Sequence, residues 1–203
     1  ELAGNYNPDA NIDDGSCEYP DNGNYSLSFD GEDDYVDVST LSFLGTDNLE
    51  ISTDFSFTGV NNHRVIFDFE TGPRYYLVVF SDRLEMRLEG VEFTFASPLI
   101  HYTDDLFNGL QHNVTFKGNN NELQLYYDNE LVVSSASNGI DFFLSEHDGS
   151  NLVYSNYIGA EGIDFKWING SIDNLTISSS DGLVADYKFN AGEGNILYDH
   201  SGN

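Results

Sequence analysis

Apolar and polar residues alternate with a period of two along much of the chain. In Arg83–Glu89 every second residue is apolar, so a strand would direct three apolar side chains to a core and four charged ones to water. Val91–Phe95 repeats the pattern, and Gly90 between the two segments predicts a hairpin. No stretch has the 3.6-residue periodicity of an amphipathic helix.

About a dozen such segments follow one another, separated by Gly, Asn and Asp. They are Ser26–Phe29, Tyr35–Val38, Asp54–Phe57, Arg64–Phe69, Tyr75–Phe80, Arg83–Glu89, Val91–Phe95, Asn113–Lys117, Leu123–Tyr127, Leu131–Ser134, Ser171–Ser178 and Val184–Phe189. Short strands at this spacing are typical of sandwiches rather than of βαβ units. The sequence therefore predicts an all-β fold, an antiparallel β-sandwich.

Composition divides the chain into three zones. A segment rich in Gly, Asn and Asp at 1–24 precedes the strand-patterned body at 25–180, and a C-terminal piece follows at 181–203. With 203 residues and 39% hydrophobic residues the chain is large enough for one sandwich with a sizeable core.

The charge is strongly negative, with 7 Lys and Arg against 35 Asp and Glu and a net charge of −28. Nucleic acids and anionic membranes bind through clustered Lys and Arg, so neither is an expected partner. Soluble cations are the expected counter-ions, and Ca²⁺ is the first candidate. The chain has no apolar run of about 18 residues, so we expect no membrane insertion.

One acidic segment near the N-terminus has the spacing of a calcium loop. Asp9, Asn11 and Asp13 alternate as in positions 1, 3 and 5 of such a loop, and Gly15 allows a sharp turn. Position 12 is Pro20 instead of a bidentate Glu, so the segment is not an EF-hand. A solvated acidic turn is the alternative.

Five blocks in a fixed order resemble the laminin G-like, concanavalin A-like jelly-roll domains. They are Ser26–Val36, Gln111–Phe116, Leu123–Leu131, Tyr157–Ala160 and Gly170–Ile177. The resemblance implies a jelly roll for the body of the chain and a secreted or cell-surface location.

Both ends carry resemblances of their own. Asn5–Cys17 is similar to short Asp/Asn-rich Cys modules that precede domains of large bacterial surface proteins, which implies that the chain is part of a multidomain protein. Leu183–Asn190 resembles the first strand of a laminin G-like domain, although here it follows the last one. It either completes this sandwich or begins a next domain. We favour the first interpretation, because the first and last strands of such a jelly roll are sheet neighbours and an uncovered edge promotes aggregation.

A second calcium site follows from the resemblance, in which Asp173 binds Ca²⁺ together with the turn that begins at Asp30. Asp173 alternates with Leu175 and Ile177, so we expect it on the core side, where a carboxylate needs a cation or hydrogen-bond donors. Hydrogen bonds to backbone N–H groups are the alternative. The further candidate ligands are Gly31, Asp33 and Asp34.

The sequence offers little for catalysis. The E-x-D-x-x-E string of jelly-roll glycosidases does not occur. Arg83-Leu84-Glu85-Met86-Arg87 is similar to the R-x-E-x-R strand of jelly-roll alginate lyases, but the other lyase motifs are missing. A salt-bridged outer face is the favoured interpretation, and we predict no enzyme.

Sugar binding would rely on exposed aromatic rings. The candidates are Trp167, Tyr76, Tyr126 and Tyr102. We therefore predict a non-catalytic, calcium-stabilised carbohydrate-binding and adhesion module, with a glycan or cell-surface polysaccharide as partner. A jelly-roll polysaccharide lyase or glycoside hydrolase and a structural spacer of an adhesin are the alternatives.

Overall fold

The computed structural model describes residues 4, 5, 7, 9, 18–41, 48–59, 63–70, 74–89, 97–119, 121–137, 156–161 and 167–202. These residues form β-strands and no helix. The strands are β1 (Leu27–Asp30), β2 (Val36–Asp37), β3 (Asn48–Phe57), β4 (Arg64–Glu70), β5 (Arg74–Val79), β6 (Arg83–Glu89), β7 (Leu99–Tyr102), β8 (His112–Asn119), β9 (Glu122–Tyr127), β10 (Glu130–Ala136), β11 (Tyr157–Ile158), β12 (Asn169–Ser179) and β13 (Gly182–Tyr187).

The strands form two sheets that face each other across one core. The seven-stranded sheet has the order β1-β12-β3-β8-β9-β10, and β13 also pairs with β12. The six-stranded sheet has the order β2-β11-β4-β5-β6-β7. Every described pair of strands is antiparallel. This confirms the predicted all-β antiparallel sandwich.

The period-two pattern explains the core. Along β3 buried and half-buried residues alternate, and Ile51 and Phe55 are among those that point inward. On β6 the residues Leu84, Met86 and Leu88 point inward, as predicted. Burying one such side chain stabilises the fold by about 1.5–3 kcal/mol, so the alternation determines which face of each strand packs inward.

The strand next to β6 was not predicted. In the described part of the sheet β6 pairs with β5 and with β7, whose residues Leu99–Tyr102 lie opposite Met86–Arg83. The segment 91–95 lies outside the described residues, so its hairpin with β6 stays a prediction. A four-residue strand such as β7 is too short to show a clear alternation.

Two strands share one edge of β12, end to end. β1 pairs with Asn169–Ile172, and β13 pairs with Leu175–Ser179 of the same strand. Ala185 and Tyr187 of β13 are buried in the common core. This arrangement favours the interpretation in which the C-terminal strand completes the sandwich. The division of the chain into 1–24, 25–180 and 181–203 stays a prediction.

A β-bulge interrupts β12 between those two partners. Its register pairs Asp173 with Asp54 and Thr176 with Ser52, so β12 takes three residues where β3 takes two. Asn174 within the bulge has a φ of 49°, in the left-handed region that Asn tolerates better than most residues.

The bulge reverses the predicted orientation of Asp173. Leu175 and Ile177 are fully buried in the core, whereas Asp173 lies opposite Asp54 on the outer face of the sheet. The predicted core-facing position is therefore wrong, because one extra residue exchanges the two faces of a strand.

Candidate functional site

An acidic turn lies between β1 and β2. Carboxylate oxygens of Asp30, Asp33 and Asp34 come within 4.8 Å of one another, and all three residues are exposed. Asp34 Oδ2 accepts a hydrogen bond from the Asp30 backbone N–H at 2.9 Å, and Asp30 Oδ1 accepts one from the Glu32 N–H at 2.8 Å. The turn thus gathers three of the predicted calcium ligands.

Gly31 makes this turn possible. Its φ is 87°, a conformation that favours glycine, and a Cβ at this position would lie 3.0 Å from the Asn169 Cβ. The Asn169 side-chain amide also donates a hydrogen bond to the Asp30 carbonyl, at 2.9 Å. The beginning of β12 therefore lies directly against the acidic turn.

Three aromatic rings lie beside the acidic turn. Tyr35 follows Asp34 in the chain and is 51% exposed. Its ring stacks on Trp167 at a centroid distance of 5.8 Å and meets the edge of Tyr157 at 5.4 Å. Arg64 donates a hydrogen bond to the Trp167 carbonyl. We call Tyr35, Tyr157 and Trp167 the aromatic platform.

Asp173 does not share a site with Asp30. Asp30 lies opposite Asn169, four residues from Asp173 along β12, which corresponds to about 13 Å of strand. The structure therefore does not bring Asp173 to the turn at Asp30, and a role of Asp173 in calcium binding stays a prediction. The acidic turn and Asp173 occupy different parts of the seven-stranded sheet, because Asp173 pairs across the strands with Asp54.

Asp173 and Asp54 have different surroundings. Asp54 accepts hydrogen bonds from the side-chain amides of Asn113 at 2.7 Å, Asn174 at 3.1 Å and Gln111 at 3.5 Å. Asp173 is 7% exposed and accepts one from the Asn174 backbone N–H at 2.8 Å. Burial raises the pKa of Asp173, the Asn174 N–H opposes that rise, and the charge of Asp54 adds to it.

The other predicted sugar-binding rings are dispersed. Tyr76 and Tyr102 lie on the outer face of the six-stranded sheet, and Tyr126 lies on the outer face of the seven-stranded sheet. Tyr76 is 6% exposed and the Arg74 guanidinium lies 4.3 Å from its ring centroid, so it offers no open face. Tyr102 is 68% exposed. The fold brings none of them to Trp167.

The R-x-E-x-R segment is an ion-paired face, as favoured from the sequence. Glu85 is buried, with Oε1 2.6 Å from Arg83 Nε and Oε2 2.6 Å from Arg87 Nη2. Burial pushes the pKa of Glu85 upward, but the hydrogen bonds and charges of the two arginines outweigh it, so the pKa lies below its ordinary value. Glu85 is thus held ionised.

A second group of possible metal ligands is used within the fold. Asp105, His112 and Asp128 offer ligand atoms within 4.8 Å of one another. His112 is 6% exposed, and its two ring nitrogens lie 2.8 Å from Asp128 Oδ2 and 3.3 Å from Asn108 Oδ1. Tyr127 donates a hydrogen bond to Asp105 at 2.9 Å. His112 is therefore a buried histidine whose two ring nitrogens both have partners within the fold.

The N-terminal calcium loop is only partly described. Asp9 is exposed, and its backbone N–H donates a hydrogen bond to Asn7 Oδ1 at 3.0 Å. Asn11, Asp13 and Cys17 lie outside the described residues. The loop and the Cys module therefore stay predictions. In the part of the chain that the structure describes, no helix has the length and apolarity to span a membrane.

The sequence analysis did not single out Tyr35 or Asp54 as site residues. Tyr35 stands inside the block Ser26–Val36 directly after three acidic residues, and this signal could have found it. No sequence signal marks Asp54, because it becomes part of an acidic pair only by lying opposite Asp173, 119 positions away in the chain.

Comparison with known proteins gives a fold but no family. No family model matches the chain, and no curated protein matches it. Among solved structures, domains LG4-5 of the mouse laminin alpha1 chain have 12% identity and a TM-score of 0.60, covering 87% of this chain and 46% of that one. This chain therefore spans less than half of the laminin fragment.

Two further solved structures are similar. The CBM40 of Ruminococcus gnavus IT-sialidase, bound to α2,3-sialyllactose, has 14% identity and a TM-score of 0.59, covering 75% of this chain and 88% of that one. Tailspike protein 2 of Escherichia coli O157:H7 bacteriophage CAB120 has 10% identity and a TM-score of 0.57, covering 82% and 27%. At these identities the likeness concerns the fold alone: the chain is a jelly-roll β-sandwich of the laminin G-like, concanavalin A-like type.

Proposed function

We propose that the chain is a non-catalytic, calcium-stabilised carbohydrate-binding and adhesion module of a larger secreted or cell-surface protein. One observation carries the proposal. The stacked pair of Tyr35 and Trp167 lies next to the three carboxylates of Asp30, Asp33 and Asp34. An aromatic face beside acidic hydrogen-bond acceptors is the combination that binds pyranose rings.

The aromatic platform supplies the apolar part of sugar recognition. Tyr35 is half exposed, and its contacts with Trp167 and Tyr157 hold its ring in place without covering it. A ring that is already ordered loses little entropy when a sugar stacks on it. Carboxylates next to the ring would accept hydrogen bonds from sugar hydroxyls.

The acidic turn supplies the calcium part. Ca²⁺ binds oxygen ligands from carboxylates and carbonyls, and Asp30, Asp33 and Asp34 present such oxygens within the spacing of one coordination sphere. Their mutual repulsion favours a bound cation, and an ion that binds only the folded state stabilises it. Gly31 provides the positive φ that the turn requires. Asp9, Asn11 and Asp13 keep their predicted role as a second, N-terminal calcium loop.

The comparisons support a binding module more than an enzyme. Laminin domains and a sialyllactose-bound CBM40 share the fold, although a bacteriophage tailspike protein is similar too. In the described residues the R-x-E-x-R segment is bound in ion pairs, which argues against a lyase role for Glu85. A location outside the cell agrees with these neighbours.

Thermal unfolding tests the calcium half of the proposal. We expect millimolar Ca²⁺ to raise Tm above its value in excess chelator, by mass action. The double variant Asp33→Asn/Asp34→Asn should lose most of this rise. The control Asp104→Asn/Asp181→Asn removes two exposed charges elsewhere and should keep it. An equal rise in both double variants would remove the acidic turn as the calcium site.

A glycan array tests the sugar half. The chain is probed with Ca²⁺ and with chelator, and Trp167→Ala and Tyr35→Ala are probed beside the wild type. We expect retention on at least one glycan and its loss in both variants, with no release of reducing ends or unsaturated products. Turnover of a polysaccharide would overturn the non-catalytic assignment, and retention on no glycan would favour a structural spacer.

A further inference from the structure

The outer face of the seven-stranded sheet is polar over its whole central part. Short polar side chains occupy most outward positions in the middle of β3, β8 and β12, and Ser52 Oγ lies 2.8 Å from Thr115 Oγ1 across the strands. At one end of this face the longer side chains of Glu50 and Lys117 form a salt bridge at 2.9 Å. The short side chains do not rise far above the backbone, and we call the strip of outer face that they form along β3 the groove.

A cleft lies at each end of this groove. The first has a volume of about 230 Å³ and is lined by Tyr25, Asp54, Gln111 and Asp173, among others. The second has a volume of about 250 Å³ and includes Glu50 and Lys117. Glu50 and Asp54 are four residues apart on β3, about 13 Å of strand. A single extended ligand can therefore reach both clefts.

The chemistry of the first cleft favours hydroxyl groups. Its lining residues include two carboxylates, Asp54 and Asp173, and no Lys or Arg, so an anionic ligand would be repelled there. Asp173 lies on the outer face but is only 7% exposed, and its Oδ1 accepts a hydrogen bond from the Asn174 backbone N–H. A buried carboxylate gains from an O–H donor that enters the cleft.

Aromatic rings lie at both ends of the groove. Tyr25 is 47% exposed, and glycine backbone packs against its ring, since a Cβ at Gly192 would lie 2.9 Å from its Cε2. Asn190 Oδ1 accepts a hydrogen bond from the Tyr25 backbone N–H at 3.0 Å. Near the second cleft, Tyr126 lies on the same face with Lys117 Nζ 5.4 Å from its ring centroid.

We propose that this outer face, between the cleft of Tyr25 and Asp54 and the cleft of Lys117, binds an unbranched, uncharged oligosaccharide that runs along β3. The proposal rests on the proposed carbohydrate-binding function and names a ligand class and a site separate from the aromatic platform. Hydroxyl groups along one edge of the chain face the Ser, Thr, Asn and Asp side chains. Its rings stack on Tyr25 and Tyr126 at the two ends.

Isothermal titration calorimetry with defined oligosaccharides tests the proposal. The neutral probes are cello-, laminari-, xylo- and manno-oligosaccharides from disaccharide to hexasaccharide, and oligoguluronate is the anionic probe. We expect one neutral series to bind with an affinity that rises by about tenfold or more with length, and oligoguluronate to bind more weakly.

Three variants assign the site. Tyr25→Ala and Asp54→Asn should each weaken binding of the hexasaccharide by about tenfold, and Ser171→Trp, which fills the first cleft without removing a buried side chain, should do the same. Asp104→Asn, at an exposed carboxylate that lines neither cleft, is the matched control for Asp54→Asn and should bind as the wild type does. Circular dichroism and Tm verify that each variant is folded. If Tyr25→Ala does not fold, the binding measured for Ser171→Trp tests the site in its place.

The outcomes separate this proposal from the proposed function. Loss of binding in the cleft variants, with Trp167→Ala unaffected, supports the groove. Loss in Trp167→Ala, with Tyr25→Ala, Asp54→Asn and Ser171→Trp unaffected, overturns it and leaves the module function intact. Preference for oligoguluronate, or affinity that does not change with length, also overturns it. No binding to any sugar overturns both.

Discussion

Asp173 lies directly opposite Asp54 on the outer face of the seven-stranded sheet, across the antiparallel pair of β12 and β3. Side chains at such positions are close neighbours, and like charges there repel each other. Amide donors surround Asp54, whereas Asp173 is buried with one backbone donor. The repulsion between the two carboxylates therefore destabilises the folded state, and both residues line the first cleft.

Asp173→Asn should stabilise the chain at neutral pH in the presence of chelator. Burial raises the pKa of Asp173, so the folded state holds this proton more strongly than the unfolded state does. The resulting stability is present below the unfolded pKa, near about 4, and is lost as pH rises through the folded pKa. Thermal unfolding should show a higher Tm for the variant at pH 7 and no difference below about pH 4.

Asp104→Asn is the control for this measurement, because Asp104 is an exposed carboxylate. Its Tm should follow the wild type at every pH. If Asp173→Asn melts at or below the wild-type temperature at pH 7, repulsion between Asp54 and Asp173 does not destabilise the folded state.

The bulge in β12 should tolerate glycine and reject valine at position 174. Asn174 has a φ of 49°, which glycine adopts freely and a β-branched residue does not. We expect Asn174→Val to lower the free energy of unfolding by about 1–3 kcal/mol and Asn174→Gly by less. Urea unfolding measures both. Equal losses in the two variants would mean that the lost stability comes from the hydrogen bond of the Asn174 amide to Asp54 and not from the backbone conformation.

Glu85→Gln should destabilise the chain at neutral pH. Glu85 is buried between Arg83 and Arg87, and its pKa is lowered, so its contribution is present above the unfolded pKa of about 4.3 and is lost as pH falls through the folded pKa. We expect a loss of about 1–2 kcal/mol at pH 7, since solvent screens both half-exposed arginines.

Urea unfolding from pH 7 down to pH 3 verifies this dependence. The gap between Glu85→Gln and the wild type should narrow as pH falls. Glu130→Gln, at an exposed position, should have no effect. A gap that is constant with pH would mean that Glu85 acts through packing and not through its charge.

Gly159 and Gly59 separate steric clash from backbone strain. Their φ values are 87° and 83°, but a Cβ at Gly159 would lie 2.2 Å from Phe29 Cε1, while a Cβ at Gly59 meets nothing within 4 Å. Gly159→Ala should therefore cost about 2–4 kcal/mol and Gly59→Ala about 1 kcal/mol in urea unfolding. Similar losses at both positions would show that Phe29 moves aside.

Most of the fold could be predicted from the sequence, because the relevant signal is local. The alternation in Arg83–Glu89 predicted β6 and its inward side chains, which the structure confirms. β7 and β11 have four and two residues, so neither displays a full period, and their positions depend on the neighbouring strands. The order of the blocks that resemble laminin G-like domains predicted the jelly-roll type, which the comparisons support.

The candidate site could be predicted only in part. Asp30, Gly31, Asp33 and Asp34 are neighbours in the chain, and a turn brings them together without help from the rest of the fold. Trp167 was one of the predicted sugar-binding rings, but its partner Tyr35, 132 positions earlier in the chain, was not. Contacts between residues so far apart in the chain depend on which strands become neighbours in a sheet. The alternation of apolar and polar residues does not determine this, because the same alternation is compatible with many strand orders.

By itself the sequence determined that this chain is an antiparallel sandwich and that acidic residues gather in the turn before its second strand. Its net charge of −28 predicts that polyanions are not partners. Only the tertiary structure decided where Asp173 points. A bulge directly after Asp173 places it on the face opposite to Leu175 and Ile177, and the register of β12 with β3 places it opposite Asp54. Local patterns encode which residues are buried, whereas pairing across a sheet depends on register, and register is a property of two strands together.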